Sequence, residues 1–464
     1  VVAAPKTFSI RTFGCQMNEH DSERLAGLLV ADGLVPASHE RDADVVILNT
    51  CTIRENADLK LYSALGHLKA LKQERPDMQI AVGGCMAQKD RGAIQVRANW
   101  VDVVFGTHNV AAAPSLLRRA RSDGPLVEVL DEPDPVSNRD MAPALYAVRD
   151  TPFAAWITIQ TGCDNTCAYC IVPAVRGREI SRPMDDLIEE ATMLADAGVV
   201  ELTVLGQNVN SYGRDITKRR PLFAELLRAL GEVPGIERIR FTSPHPKDLR
   251  PETIAAMAET ERVCPQLHLP MQHGSNRVLR AMRRGYTIER YLERLAEARA
   301  AIPDLAVTTD LIVGFPGETD AEFEELLEAV SVAQFDSAFT FIFSPREGTR
   351  AALMTKDFVG DDVIKERFGR LKHVLDRSAL AKHAAREGLL EEVLVEGPSR
   401  RNDAMLTGRT RQGKLIHVPL TEGVRAGSLV EARVNHGAPY HLIGEIEHVV
   451  RAPRHKIRIP LLVS

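Results

Sequence analysis

Cysteine is scarce in this chain, with seven in 464 residues. That is too few, in too long a chain, for a disulfide-stapled scaffold. Long apolar runs are missing as well, and no stretch approaches the roughly 20 residues that a membrane-spanning helix needs. Basic charge is not in excess: 58 Lys and Arg stand against 63 Asp and Glu, a net charge of −5. The whole-chain balance therefore lends no support to a nucleic-acid partner, although such a partner reads local clusters of Lys and Arg. The opening residues, Val1 to Lys6, contain neither an initiator Met nor a signal-peptide pattern. The expectation is a cytoplasmic protein whose numbering begins inside a longer natural chain. What the chain does have is 44% hydrophobic and 26% charged residues, ordinary for a globular protein with real cores. Its length predicts two to four domains.

The few cysteines are not scattered. Cys163, Cys167 and Cys170 share one loop, with three and then two residues between them, after the apolar run Ala154 to Ile159. That run reads as a buried strand, which puts the thiols just beyond a strand end. Three readings compete for them. A disulfide knot is disfavoured by composition. A structural zinc site takes four protein ligands, and the fourth is absent. A cubane iron–sulfur cluster normally takes four thiolates, so three would leave one iron open. The spacing favours the cluster.

A second pattern occurs three times upstream. Thr7 to Phe13 leads through Gly14 to Cys15, Ala43 to Leu48 leads to Cys51, and Gln79 to Val82 leads through Gly83 and Gly84 to Cys85. Helical patterns separate these runs, at Asp21–Ala31 and Glu55–Leu71. Alternating strands and helices imply a parallel sheet whose carboxyl edge carries all three thiols, the edge where open α/β sheets place ligands. A single such Cys reads as a core thiol. Three at one structural position point to a second three-thiolate cluster, and Gly83-Gly84 is expected to let the backbone approach a bulky group. Cys264 stands apart and reads as structural.

From Phe153 onwards six strands (154–159, 200–205, 236–241, 265–269, 305–312 and 336–342) alternate with helices (185–197, 221–230, 251–259, 287–301 and 320–333). Six βα units predict a partial barrel with its site at the carboxyl strand ends. Polar stretches follow several strands: Gly206-Gln207-Asn208, Thr242-Ser243-Pro244-His245, Met271 to Ser275, and Gly314 to Glu318. His245, His268 and His273 lack metal-type helical spacing and read as hydrogen-bonding groups. A long helix is expected from Phe358 to about Gly388. Short β runs at 392–395, 405–408, 415–418 and 429–434 then suggest a small β-barrel. Arg400, Arg401, Arg409, Arg411 and Lys414 cluster within it.

The Cys163–Cys170 run after a first strand resembles the signature of the radical S-adenosylmethionine (radical SAM) enzymes. That resemblance implies a [4Fe-4S] cluster on Cys163, Cys167 and Cys170, with SAM chelating the open iron. It places Tyr169 at the family's aromatic position. Gln207, Ser243 and Gln272 are carried over as SAM or substrate contacts. Together with Thr12 to Asn18, Leu48 to Cys51, Arg54-Glu55-Asn56-Ala57 and Gly83-Gly84-Cys85, the chain resembles the methylthiotransferases, a radical SAM subgroup with an N-terminal cluster domain. The likeness runs from about Phe8 to the end of the small C-terminal domain. It implies a [4Fe-4S] cluster on Cys15, Cys51 and Cys85, which makes all six cysteines catalytic.

The fold class expected is therefore α/β multidomain. Residues 1–122 form the parallel α/β cluster domain, 123–150 a linker, 151–384 the partial (βα)6 radical SAM barrel, 385–450 a TRAM-like RNA-binding β-barrel, and 451–464 a basic and then apolar tail. Gly206 to Gly213 and Arg54 to Ala57 look like the subgroup's isopentenyladenosine type. The implied reaction is thiomethylation of C2 of N6-isopentenyladenosine beside the tRNA anticodon. Implied partners are tRNA, a low-potential donor such as flavodoxin or ferredoxin, and a sulfur source, with the protein acting as a monomer. The alternatives are a methylthiotransferase acting on an aspartate of a small-subunit ribosomal protein or on threonylcarbamoyl-adenosine, and a non-enzymatic RNA-binding iron–sulfur redox sensor.

Overall fold

The structure, a computed structural model, describes residues 5–52, 57–132, 149 and 151–454. It divides into two compact units. One comprises Val1–Asp150, Gln160–Asn165 and Cys170–Arg182; the other comprises Thr151–Ile159, Thr166–Tyr169 and Pro183–Ser464.

The first unit is built on a six-stranded parallel sheet. Its strands are β1 (Thr7–Phe13), β2 (Val35–Pro36), β3 (Val45–Thr50), β4 (Gln79–Gly84), β5 (Val103–Phe105) and β6 (Leu126–Glu128), in the order β2-β1-β3-β4-β5-β6. Every residue of β3 and β4 is buried, as expected of central parallel strands covered on both faces. The pleat divides them. Val46, Leu48, Ile80 and Val82 pack with Leu61, Leu65 and Leu68 of the helix Ala57–Glu74. Val45, Ile47 and Ala81 pack on the other side with Leu25, Leu29, Leu116 and Leu117. The three cysteine-bearing strands were legible from their apolar runs; β2, β5 and β6 were not. Strand β6 corrects the reading of 123–150 as a linker, because Leu126 pairs with Val103 and Glu128 with Phe105. Three residues are too few for a period of two to register. Residues 133–148 and 150 of that span, and the motif residues Arg54 to Asn56, lie outside the described residues. The short pair β8 (Gln160–Thr161) and β9 (Ile180–Ser181) also belongs to this unit.

In the second unit the six expected barrel strands are present: β7 (Ala154–Thr158), β10 (Glu201–Leu205), β11 (Arg238–Phe241), β12 (Gln266–His268), β13 (Ala306–Val313) and β14 (Ser337–Ile342). They form two three-stranded parallel sheets, β11-β10-β7 and β12-β13-β14. The halves meet where Ile239 bridges to Val263 and the Cys264 amide donates to the Ile239 carbonyl at 2.9 Å. Cys264 is a buried packing residue at that seam. Helices Met184–Asp196, Phe223–Gly231, Pro251–Glu259, Ile288–Ala301 and Asp320–Ala333 match the helical periodicity, and Asp361–Ala384 forms the long helix. Among the described residues no helix is long and apolar enough to cross a membrane.

The C-terminal segment is a closed five-stranded barrel of β15 (Leu390–Pro398), β16 (Met405–Thr410), β17 (Leu415–Pro419), β18 (Leu429–Ala438) and β19 (His441–Arg451), ordered β15-β16-β17-β19-β18. Strand β19 escaped the sequence reading because exposed Glu445, Glu447 and His448 interrupt its apolar pattern. Register shifts along the β18–β19 ladder blur the alternation further. Arg451, assigned to the tail, ends β19 and pairs with Glu237; residues 455–464 lie outside the described residues.

Buried charge fixes this barrel to the radical SAM-like barrel. Arg238, fully buried, donates to the Glu392 carboxylate at 2.8 Å and to the Arg409 carbonyl at 2.9 Å. Arg240 donates to the Thr410 and Arg411 carbonyls, both at 2.8 Å. Lys414 Nζ meets Asp336 at 2.6 Å with both side chains buried. The expected basic cluster is thereby thinned: Lys414 is a core group, Arg409 pairs with Glu396, and Arg411 caps the Glu261 carbonyl. Arg400 and Arg401 remain exposed.

Candidate iron–sulfur and SAM site

Strands β1, β3 and β4 are neighbours in register, with Phe13 opposite Thr50 and Thr50 opposite Gly84. The cysteines follow within two residues of these positions. Cys15 caps the helix Gln16–Ala31, Cys51 follows β3, and Cys85 opens the helix Cys85–Asp90. One sheet edge thus carries the triad, as the strand pattern predicts. Gly14 permits this, since a Cβ there would lie 2.9 Å from the Cβ of Cys51. Gly83 and Gly84 serve a different purpose from the one expected. The Phe105 ring packs on Gly83, and Gly84, at φ 92°, backs onto Thr50 and Asn49. The close approach is made by neighbouring protein, not left open for a ligand.

Two asparagines from the quoted motifs lock the edge. Asn18 Nδ2 donates to the Thr50 carbonyl at 3.0 Å, and Asn49 Nδ2 donates to the Asn18 carbonyl at 2.8 Å and to Ser22 Oγ at 2.9 Å. Cys15 Sγ lies 3.4 Å from Asn18 Oδ1. A hydrogen bond from Cys51 draws the Cys15 thiol down to about 6 against the effect of burial, helped by Arg176 and the amides of Asn18 and Met17. Burial pushes Cys85 up, opposed by Arg176. Cys15 therefore presents a thiolate near neutral pH, the form that ligates metal.

Arg176 was not singled out from the sequence. It ends the short helix Val172–Arg176, and its Nη2 donates to Asp21 Oδ2 at 2.8 Å with both side chains buried. Against burial, Asp21 and the Cys85 and Cys15 sulfurs hold it protonated, above its ordinary value.

Cys163 follows β8, and its amide donates to the Gly177 carbonyl at 3.1 Å. Gly162, at φ 79°, is required where the backbone closes on the Arg178 carbonyl. Ala168 is pinned on both sides: its amide donates to the Met282 carbonyl and its carbonyl accepts from Ala351, each at 2.9 Å. Tyr169 packs edge-on to Phe315, with ring centroids 6.5 Å apart. Cys167 meets Arg284, a buried residue also missed in the sequence, whose Nη1 lies 3.3 Å from the Cys167 sulfur. Tyr286 steadies that guanidinium and donates to the Met271 carbonyl at 2.8 Å.

The remaining candidates sit at strand ends of the second unit. Ser243 and Gln272 both adopt the left-handed region, at φ 61° and 67°. Such backbone strain in non-glycine residues concentrates at functional sites. Gln207 Oε1 is a buried acceptor without a protein partner. The histidines behave as hydrogen-bonding groups. His268 Nδ1 lies 2.9 Å from Thr308 Oγ1. His273 accepts from the Ser275 amide at 2.9 Å and meets Glu318 at 3.2 Å, which Arg367 holds at 2.7 Å. His245 accepts from the Lys247 amide through Nδ1, which leaves Nε2 as a buried donor without a partner. Burial, then Arg284 and Lys247, push His245 down to about 2, so the ring is neutral. Nearby, a cleft of about 410 Å³ is lined by Lys247, Arg250, Arg290, Arg294 and Tyr286.

All seven cysteines are free of disulfides. Among the described residues no three His, Cys, Asp or Glu side chains converge as ligands of a single metal ion do. A cubane cluster makes a different demand, because each thiolate binds a separate iron. Three thiols on neighbouring strand ends, one of them ionised and one beside a buried guanidinium, suit that group.

Residues 157–330 match the model of the Radical SAM superfamily, and residues 7–106 match that of the Uncharacterized protein family UPF0004. Curated relatives extend the match over nearly the whole chain. The tRNA-2-methylthio-N(6)-dimethylallyladenosine synthase of Mycolicibacterium vanbaalenii is 50% identical over 458 residues, spanning 96% of this chain and 89% of its own. Those of Parafrankia sp. and Acidothermus cellulolyticus are 51% and 50% identical, covering 95% and 97% of this chain and 90% of each relative. Among solved structures, the radical S-adenosylmethionine methyltransferase TsrM of Kitasatospora setae, with cobalamin and a [4Fe-4S] cluster bound, superposes with a TM-score of 0.55. Its identity is 14%, over 75% of this chain and 77% of that one, a likeness of fold. The chain belongs to the tRNA-2-methylthio-N(6)-dimethylallyladenosine synthase family of the radical SAM superfamily.

Proposed function

We propose that this chain thiomethylates C2 of N6-isopentenyladenosine beside the anticodon of tRNA. Six cysteines do the holding: Cys15, Cys51 and Cys85 for one [4Fe-4S] cluster, and Cys163, Cys167 and Cys170 for a second, which also binds SAM. The observation that carries this reading is the pair of three-cysteine sets in a chain about 50% identical to curated synthases over their shared length. When bound, the clusters and SAM supply one-electron reduction, hydrogen abstraction, and the sulfur and methyl groups of the product.

The chain's own residues supply position and polarity. Arg284 donates to the Cys167 sulfur and so fixes the orientation of that ligand. Gln207 offers a buried acceptor, and Ser243 and Gln272 hold a left-handed backbone conformation that ordinary strands do not adopt. Neutral His245 offers a donor and no charge, suited to a nucleobase or ribose edge. The cleft lined by Lys247, Arg250, Arg290 and Arg294 suits a phosphodiester backbone, as do exposed Arg400 and Arg401 of the TRAM-like barrel. The target base sits in a single-stranded loop, so it is splayed into the barrel at modest cost. A three-part division into an N-terminal cluster domain that includes β6, a radical SAM core and a C-terminal barrel that runs to Arg451, a cytoplasmic location, a monomeric state, a flavodoxin or ferredoxin as electron donor and a separate sulfur source complete the proposal.

The test is anaerobic turnover of the iron- and sulfide-reconstituted chain with SAM, dithionite and an anticodon stem-loop RNA. The RNA either carries or lacks the isopentenyl group. The proposal expects 2-methylthio product from the isopentenylated RNA, with none from the bare RNA. Product from neither, in protein carrying both clusters, contradicts it and turns attention to the ribosomal-protein substrate.

A further inference from the structure

The helix Val172–Arg176 begins two residues after Cys170, yet its last side chain belongs to the other cysteine set. The Arg176 and Asp21 side chains are 6% and 9% exposed and meet at 2.8 Å. Asp21 comes from the helix Gln16–Ala31, which Cys15 caps. The short helix is firmly seated on that edge. Ile171 and Val175 pack directly on Cys85, and Thr107 Oγ1 donates to the Val175 carbonyl at 2.6 Å. Gly177, at φ 75°, then turns the chain away.

A buried ion pair is weak evidence for stability, because desolvation offsets much of its attraction. This one has a further feature. Asp21 takes one guanidinium nitrogen, while Ile171 and Val175 of the same segment seat the helix on Cys85, so the charge acts on the Cys85 and Cys15 sulfurs as well. The fork is thus anchored on a buried carboxylate at the sheet edge that carries these thiols.

We propose that Arg176 is a positioning residue of the N-terminal cluster: aimed by Asp21, it donates to the Cys85 sulfur and fixes a positive charge beside Cys15, raising that cluster's reduction potential. The inference rests on Cys15, Cys51 and Cys85 being cluster ligands. Hydrogen bonds to cluster sulfurs and local charge are recognised determinants of potential. One-electron reduction adds negative charge inside a buried site, and an immobile cation beside it favours the reduced form. The segment following Cys170 thereby completes the surroundings of Cys85, so this cluster's properties depend on chain far from its own ligands.

The experiment uses the full chain carrying Cys163→Ala, Cys167→Ala and Cys170→Ala, reconstituted anaerobically so that only the N-terminal cluster is built. Its potential is measured by redox titration with dithionite, followed by electron paramagnetic resonance, for the parent, Arg176→Lys and Arg176→Gln. Arg176→Lys keeps the charge and loses the planar fork, so its potential is expected below the parent's, with Arg176→Gln lower still. In the converse chain, with Cys15, Cys51 and Cys85 all changed to Ala, Arg176→Gln is expected to leave the remaining cluster's potential unchanged. A parent-like potential in either iron-loaded variant overturns the proposal, and Arg176→Lys decides if Arg176→Gln does not fold. If the parent builds no cluster at all on Cys15, Cys51 and Cys85, the ligand assignment itself fails and takes this inference with it.

Discussion

Arg284 Nη1 lies 3.3 Å from the sulfur of Cys167, with the guanidinium buried against Tyr286 and the Pro270 carbonyl. With Cys167 as a proposed cluster ligand, a charged donor aimed at its sulfur orients it, and removing such a donor typically costs about 10–100-fold in metal affinity or activity. Arg284→Gln is therefore expected to lower the turnover of isopentenylated RNA by about that factor. Iron retention on Cys163, Cys167 and Cys170 should fall with it, while iron on the other triad is unaffected. Iron analysis in each triple-alanine background separates the two.

Gly14 makes the opposite kind of contribution, through absent atoms. A Cβ there meets Asn18 Oδ1 at 2.8 Å and Cys51 Cβ at 2.9 Å, closer than side chains tolerate without displacement. Gly14→Ala should spread the ends of β1 and β3, and lose cluster from the N-terminal triad while sparing the second. Equal iron content in Gly14→Ala and parent chains rejects that account of the edge.

The five C-terminal cations do not share one setting. Arg400 and Arg401 are exposed, whereas Lys414 is buried on Asp336. Replacing Arg400 and Arg401 with Ser should weaken RNA binding and flatten the slope of log K against log salt by roughly one for each phosphate no longer neutralised. Lys414→Met leaves Asp336 buried and unpaired, and should destabilise the fold by about 3–5 kcal/mol without changing the salt slope. Fluorescence anisotropy across a salt series, alongside denaturant melts, distinguishes these outcomes.

Acid sensitivity has a specific source in buried histidines. Burial, then Lys414, push His383 down to about 4 from its ordinary 6.5, and burial pushes His245 to about 2. Below pH 6.5 the unfolded chain binds protons that the folded chain refuses, so stability falls as pH drops. The effect reaches up to about 1.4 kcal/mol per pH unit for each group until its folded pKa is met. His383→Gln should make the loss of stability between pH 6.5 and 4 shallower. An unchanged slope in urea melts at those two pH values contradicts the assignment.

Sequence and structure agree where periodicity and spacing are strong. The six strands from Ala154 to Ile342 and the three strands that end at Cys15, Cys51 and Cys85 were legible because apolar runs and turn signals repeat. The short strands β5 and β6 were hidden, since three residues carry no usable period. Strand β19 was hidden by its charged outer face. Arg176 and Arg284 were hidden for another reason. Each acts on a cysteine that is distant in sequence, Arg284 being 117 residues from Cys167, and no local pattern marks an arginine as buried. The basic cluster misled in the same way, because burial of Lys414 depends on Asp336, 78 residues away.

The most direct test of the central claim is nucleoside mass spectrometry of bulk tRNA from cells lacking this protein. The strain is complemented with the intact chain, with Cys51→Ala or with Cys167→Ala. The account predicts that 2-methylthio-N6-isopentenyladenosine disappears, that its unthiolated precursor accumulates, and that only the intact chain restores the product. Persistence of the methylthiolated nucleoside in the deletion strain, or its recovery with either cysteine variant, contradicts it.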